Sequence, residues 1–199
     1  MIAIIDYGAG NLFSVKNALD YIGETSEITS DPAVLSRADG MILPGVGAFP
    51  DAMRMLKSSG LVDVICTEAQ KKPLLGICLG MQVLFSRGTE FEETKGLDLI
   101  PGSVDRIECD FKIPHMGYNE LHKHIDSPLL AGIGEGACVY FVHSFMANTT
   151  PEYIAADTDY GVRIPALVQN KMVFGAQFHP EKSGETGLKI LRNFGVLTR

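Results

Sequence analysis

Apolar positions along this chain alternate between two periods. Ile2 to Asp6 opens with a β-branched run, the pattern of a strand buried on both faces. Leu12, Val15, Leu19 and Ile22 then recur at helical spacing, with Asn11 placed to cap that helix and Gly23 to stop it. Ser30-Asp31-Pro32 predicts a further short helix, since proline is tolerated in a first helical turn. Met41-Ile42-Leu43 predicts a second strand, broken by Pro44-Gly45-Val46-Gly47. One helical stretch is expected through Met53, Leu56 and Val62 to about Gln70. Pro73 to Ile77 then predicts a third buried strand, running into a helix at about Leu79.

Strand and helix in alternation imply an α/β fold with a mostly parallel central sheet and helices on both faces. The second half reads differently. Val104–Ile107, Val139–Val142, Tyr153–Ala156, Ala166–Gln169 and Met172–Gln177 look like strands in hairpin-like succession, which predicts an antiparallel extension of the sheet. Gly184 to Val196 carries the pattern of an amphipathic helix. With no repeat, linker or low-complexity segment, residues 1–199 are expected to form a single domain.

Composition narrows the function classes. A hydrophobic fraction of 46% suits one buried core. The formal charge of −7 is spread without runs of like sign, so neither nucleic acid nor a membrane surface is an expected partner. No apolar stretch reaches the roughly 18 to 20 residues of a membrane span. The N-terminus lacks the basic region of a signal peptide. Cys66, Cys78, Cys109 and Cys138 are widely spaced with no Cys-x-x-Cys pair, which argues against a disulfide framework or a zinc site. A cytoplasmic, reducing setting is the expectation, and one free thiol is then a candidate for reactivity.

Gly76-Ile77-Cys78-Leu79-Gly80 is the strongest local feature. It has the form Gly-x-nucleophile-x-Gly at a strand-to-helix junction, where the nucleophile occupies a strained turn and the glycines leave room for close approach. A helix beginning at Leu79 would aim N–H groups and its positive dipole end at the thiol, favouring thiolate and offering donors to an oxyanion. The alternative is a buried structural cysteine.

A thiol nucleophile wants a base, and the chain holds five histidines. His122 and His124 lie in a polar stretch and read as solvent-facing, while His115 and His143 suit either a structural position or the lining of a site. His179 differs: it ends the apolar run Val173 to Phe178 and is followed by Pro180 and Glu181. There it can share a sheet edge with Cys78, and Glu181 could hold the ring in the right tautomer. Glycines at Pro44-Gly45-Val46-Gly47 could turn a backbone N–H toward the reacting carbonyl, although an ordinary turn is the better reading of that segment by itself. Gly8-Ala9-Gly10 fails as a dinucleotide fingerprint, because its third glycine is replaced by Phe13.

Pro-Gly-Val-Gly at 44–47, Gly-Ile-Cys-Leu-Gly-Met-Gln at 76–82 and Gln-Phe-His-Pro-Glu at 177–181 occur in the order found in class I (triad-type) glutamine amidotransferases. The chain resembles that family over nearly its full length. The resemblance implies a flavodoxin-like class I glutaminase fold, with Cys78 as nucleophile, His179 as acid and base, and Glu181 as its orienting partner. It further implies oxyanion donors from Leu79 and from Gly45, Val46 and Gly47. The amino-acid end of glutamine would be held by Gln82 and by the backbone around His143, Ser144 and Phe145. No metal or organic cofactor is implied.

Asp6 to Leu12, Pro114 to Asn119 and Tyr140 to Phe145 are similar to the glutaminase subunits of imidazole glycerol phosphate synthases. That likeness implies a place in histidine biosynthesis and a heterodimer with a β/α-barrel cyclase, which uses the ammonia. It implies a docking face including Asn11, Tyr118, Asn119 and Lys182; Tyr118 stands where that group commonly has tryptophan. Rival readings are a glutaminase of anthranilate, vitamin B6 or purine synthesis, a cysteine hydrolase of small esters or peptides, and an inactive binding subunit. The segments at 6–12 and 114–119 argue against the first, and the intact triad argues against the last.

Overall fold

The computed structural model describes all 199 residues. The first strand, β1 (Ile2–Ile5), leads into helix α1 (Leu12–Tyr21), strand β2 (Ser26–Thr29), helix α2 (Pro32–Arg37) and strand β3 (Gly40–Gly45). Helices α3 (Phe49–Ser59) and α4 (Val62–Glu68) then precede strand β4 (Leu74–Cys78) and the single turn α5 (Leu79–Gln82). Short strands β5 (Phe85–Gly88) and β6 (Thr94–Lys95) follow, then β7 (Ile100–Arg106), β8 (His115–Glu120) and β9 (His122–Lys123). The chain closes with β10 (Cys138–His143), β11 (Phe145–Asn148), β12 (Ile154–Asp159), β13 (Arg163–Asn170), β14 (Val173–Ala176) and helix α6 (Gly184–Leu197).

An eight-stranded sheet in the order β2-β1-β3-β4-β14-β13-β12-β9 forms the centre. Its first five strands are parallel, and β13, β12 and β9 extend it antiparallel. Ile2 and Ile4 of β1 join one buried cluster with α1 and α6, while Ala3 and Ile5 join the other with α2, α3 and α4. Successive side chains point to opposite faces of a strand, so a run apolar at every position is what burial on both faces demands. Because β14 runs parallel to β4, the C-terminal ends of β3, β4 and β14 share one edge. Ligands of open α/β sheets sit outside that edge. No helix is long and apolar enough to cross a membrane.

Several expectations need correction. The strand at 41–43 does not break at Pro44: β3 continues through Pro44 and Gly45, paired with Ile77 and Cys78 of β4. Its pairing with β1 stops at Ile42, so Pro44 has a strand neighbour on one side only and its missing N–H can be tolerated there. The helix expected from Met53 to Gln70 is two helices, because Gly60 turns left-handed at φ 72° and ends the first. Val104–Ile107 and Val139–Val142 leave the central sheet. Val104 to Arg106 of the first lie in β7 of a four-stranded sheet, β11-β7-β5-β6, and the second lies in a two-stranded ribbon of β10 with β8. Asn11 occupies the N-cap position of α1, but its side chain makes no capping hydrogen bond.

Candidate active site

Cys78 is the last residue of β4 and has φ 56° and ψ −114°, a left-handed backbone that costs a side-chain-bearing residue about 1–3 kcal/mol. The bracketing glycines are there for proximity. A Cβ on Gly76 would lie 2.5 Å from the Gly80 carbonyl oxygen, and one on Gly80 would overlap the Leu43 carbonyl of β3. The turn of the elbow is therefore folded tightly onto its own strand and pressed against the backbone of β3. The helix expected to support the thiol is only the four-residue turn α5, too short for much of a macrodipole. What remains is local: the N–H groups of its first turn, which no carbonyl within the turn can accept. Val142 O and the Gln177 amide nitrogen each lie 3.9 Å from Sγ.

His179 follows β14 and is buried, its backbone N–H donating to Tyr140 O at 2.9 Å. Its Nδ1 lies 2.8 Å from Glu181 Oε1, and the Glu181 side chain is 1% exposed. The carboxylate accepts, so Nδ1 carries a proton and Nε2 is left to face the cleft. Burial pulls the His179 pKa down, but hydrogen bonding and charge from Cys78 and Glu181 outweigh it and raise the value to about 9. The ring is thus held between the Cys78 sulfur and the Glu181 side chain.

Cys78 and His179 line one cleft of about 330 Å³, within the size range of small-molecule sites. Of the residues expected to bind substrate, Val46, Gly47, Leu79, Gln82, His143, Ser144 and Phe145 line it too; Gly45 lies just behind, at the end of β3. Gln82 Nε2 donates to the Phe145 carbonyl and to Gln177 Oε1, both at 3.0 Å. Sequence reasoning passed over Val142, Pro114 and Glu90 in the cleft wall, and Gln177 behind it. Gln177 had a signal: it is an amide within an otherwise apolar buried strand end. His122 and His124 stay outside the cleft, paired with Glu135 and Asp157.

Of the expected docking residues, the structure joins two directly. The Tyr118 hydroxyl donates to the Lys182 carbonyl at 2.8 Å, and α1 packs on the turn that carries Lys182. Asn11 lies at the start of α1, on the same edge. Asn119 is not brought onto the Tyr118 face: strand alternation turns it the other way, and its amide nitrogen donates to Asp159 O at 3.1 Å.

The family described as glutamine amidotransferase class-I matches residues 3–197. Imidazole glycerol phosphate synthase subunit HisH of Bacillus cereus is 52% identical over 195 residues, spanning 98% of this chain and 93% of that protein. The protein of the same name from Bacillus thuringiensis is 50% identical over the same spans. The crystal structure of a glutamine amidotransferase superposes with a TM-score of 0.78 at 18% identity, over 100% of this chain and 99% of the other, a likeness of fold. With that fold, and with a cysteine, a histidine and a glutamate gathered at its strand ends, the chain belongs to the class-I glutamine amidotransferases, in the family of imidazole glycerol phosphate synthase subunit HisH.

Proposed function

We propose that this chain hydrolyses glutamine to glutamate and ammonia with Cys78, His179 and Glu181. The ammonia then passes to a β/α-barrel cyclase bound as a heterodimer. The cyclase makes imidazole glycerol phosphate and aminoimidazole carboxamide ribonucleotide in histidine biosynthesis. The observation that carries this reading is the His179–Glu181 pair at 2.8 Å, whose histidine lines one cleft with Cys78. The Cys78 thiolate attacks the glutamine amide carbon, forming an S–C bond and an oxyanion that the N–H groups near Leu79 and Val46 would receive. His179 gives its Nε2 proton to the departing nitrogen as the C–N bond breaks. Water then attacks the thioester and passes a proton to His179, releasing glutamate and restoring the ion pair. Ammonia is largely protonated in neutral water and unreactive in that form, so a closed docking face at the cleft has a chemical reason.

An electrophilic glutamine analogue tests the reading. It should alkylate Cys78 and leave the other free cysteines, Cys66, Cys109 and Cys138, unmodified by peptide mass spectrometry. Label on another cysteine, or ester turnover without glutamine turnover, would remove the glutaminase assignment.

The raised pKa of His179 fixes the basic limb of the pH profile. The proton needed by the leaving ammonia is held below about pH 9 and lost above it, so kcat/KM for glutamine should fall as pH rises through about 9. The same sign applies to stability. The contribution of the protonated ring is complete below the unfolded value near 6.5 and disappears as pH rises through the folded value near 9. Glu181→Gln removes one of the groups that raise the value, so it should move the basic limb to lower pH while leaving measurable turnover. His179→Ala removes acid and base together and should approach the loss seen on removing the nucleophile. An unmoved basic limb in Glu181→Gln, or equal and complete loss in both variants with the fold intact, contradicts this division of labour.

The docking face carries its own test. Asn11 makes no capping bond and Lys182 is exposed just beyond the catalytic turn, so both side chains are available to a partner. Lys182→Ala and Asn11→Ala should weaken cyclase binding or uncouple glutamine hydrolysis from synthesis, by an amount up to about tenfold each. Unchanged affinity and coupling in both variants would mark them as ordinary solvated residues.

A further inference from the structure

In the β8–β10 ribbon His143 stands opposite His115, and both rings are buried. His143 Nδ1 lies 2.8 Å from the Phe145 carbonyl oxygen, and His143 Nε2 lies 2.9 Å from His115 Nδ1. A carbonyl only accepts, so His143 carries its proton on Nδ1 and presents a lone pair at Nε2. The 2.9 Å contact then requires the proton of His115 to sit on Nδ1. With His115 protonated on Nε2 alone, two lone pairs would face each other. This leaves His115 Nε2 as a buried nitrogen without a partner. Stacking on Tyr160 at 4.1 Å and Phe141 at 4.7 Å clamps the ring in that orientation. Burial lowers the pKa to about 4 at His115 and to about 3 at His143, so both rings are neutral at neutral pH.

The polarity set at this pair reaches the cleft. The Phe145 carbonyl accepts from His143 and also from Gln82 Nε2 at 3.0 Å. The same Gln82 nitrogen donates to Gln177 Oε1 at 3.0 Å, which turns Gln177 Nε2 toward Cys78 Sγ at 3.9 Å. One backbone carbonyl thus decides which end of each amide is which. Gln82 has spent its donors, so the group it has left for the cleft is the acceptor Oε1. An acceptor there matches an ammonium group and repels a carboxylate.

We propose that His115, which does not itself line the cleft, is a positioning residue for glutamine binding. Through His143 it holds the Phe145 carbonyl, and with it the 143–145 wall and the Gln82 acceptor, in the orientation that receives the α-ammonium group of the substrate. This rests on the glutaminase reading above and deepens it. Removing the His115 donor orphans His143 Nε2, which is then free to exchange tautomer and release the Phe145 carbonyl. Because the wall contacts the non-reacting end of glutamine, the loss falls equally on ground and transition states, raising KM and sparing kcat.

The test compares two variants in the complex with the cyclase. His115→Phe keeps the stacking and removes the donor; His115→Asn places an amide N–H near the position of Nδ1. His115→Phe should raise KM for glutamine about tenfold, the size of one lost buried hydrogen bond, with kcat within about threefold of wild type. His115→Asn should recover most of that loss. A wild-type KM in His115→Phe, a fall in kcat without a rise in KM, or an Asn variant no better than Phe overturns the proposal. If a variant fails to fold, the wild type decides: long-range ¹⁵N–¹H spectra must place the proton on Nδ1 of both His115 and His143. An Nε2–H signature on either ring overturns it. A wild-type complex that makes no glutamate from glutamine would instead remove the glutaminase reading beneath it, an outcome distinct from an unchanged KM.

Discussion

Cys78→Ala should bring glutamine hydrolysis to background, a loss of more than about 10⁴-fold, while the cyclase complex still makes product from ammonium salts at high pH. Only the sulfur carries the covalent step, and neither Glu181 nor the oxyanion donors can substitute for it. Alanine keeps the Cβ and therefore the same strained backbone, so the elbow has no new reason to rearrange. Its neighbours also hold without the sulfur: Gly76 and Gly80 pack by backbone contact, and the Sγ contacts to Val142 and Gln177 are long. Circular dichroism and partner binding should match wild type. Cys78→Ser should be nearly as inactive, because a hydroxyl is a far weaker acid than a thiol and a poorer nucleophile. Wild-type glutamate release by the alanine variant would show that another residue is the nucleophile. Loss of the ammonia-dependent reaction as well would show that Cys78 supports the assembly, not the chemistry alone.

The central strands of the parallel half were legible because they are buried on both faces and so spell themselves out as apolar runs. Ile2 to Ile5, Met41 to Leu43 and Leu74 to Ile77 each lie in one. Two of the strands passed over, β8 and β2, have few apolar side chains to mark them. β8 alternates in burial along His115, Met116, Gly117, Tyr118, Asn119 and Glu120, yet its inward positions are histidine, glycine and asparagine. No hydrophobic period marks such a strand. β2, Ser26-Glu27-Ile28-Thr29, is an edge strand with one apolar residue and was missed for the same reason. The site divides in a similar way. Cys78, His179 and Glu181 stood out because nucleophile and base require particular residue types beside glycines and strand ends. The amide of Gln177 and the imidazole of His115 act through hydrogen bonds between segments 28 to 99 residues apart, and no local spacing records that.

The isolated chain should be a poor glutaminase, and the cyclase carrying its nucleotide substrate should raise the rate by orders of magnitude. An always-active thiolate would waste glutamine and lose ammonia to solvent, so the control point belongs at the oxyanion. The arrangement of β3 narrows where it can lie. Pro44 and Gly45 are held in the sheet by pairing with Ile77 and Cys78, and a Cβ on Gly45 would come within 2.6 Å of the Gly80 nitrogen. The strand ends at Gly45, and the freedom begins there: Val46 is 48% exposed, and Gly47 takes φ 103°, open to glycine and strained for other residues. Beneath this turn the Tyr7 hydroxyl is buried and has no hydrogen-bond partner, a polar group available to a reoriented peptide. Val46 and Gly47 both line the cleft, and Val46 is exposed where a docked partner could press on it. A peptide turning its N–H toward the developing oxyanion would supply a donor typically worth about 10²- to 10³-fold in rate. The partner's ligand need favour that orientation by only about 1–3 kcal/mol, the usual size of coupling between sites. Steady-state glutamate release should therefore be measured for the chain alone, with cyclase, and with cyclase plus nucleotide. Rates within about twofold across all three would sink the idea, since that is far below the effect of one oxyanion donor. Replacing Gly47 by alanine offers a second reading of the same switch. The strained φ should penalise the resting turn and change the ratio of activated to basal rates, and an unchanged ratio would move the control point away from this turn.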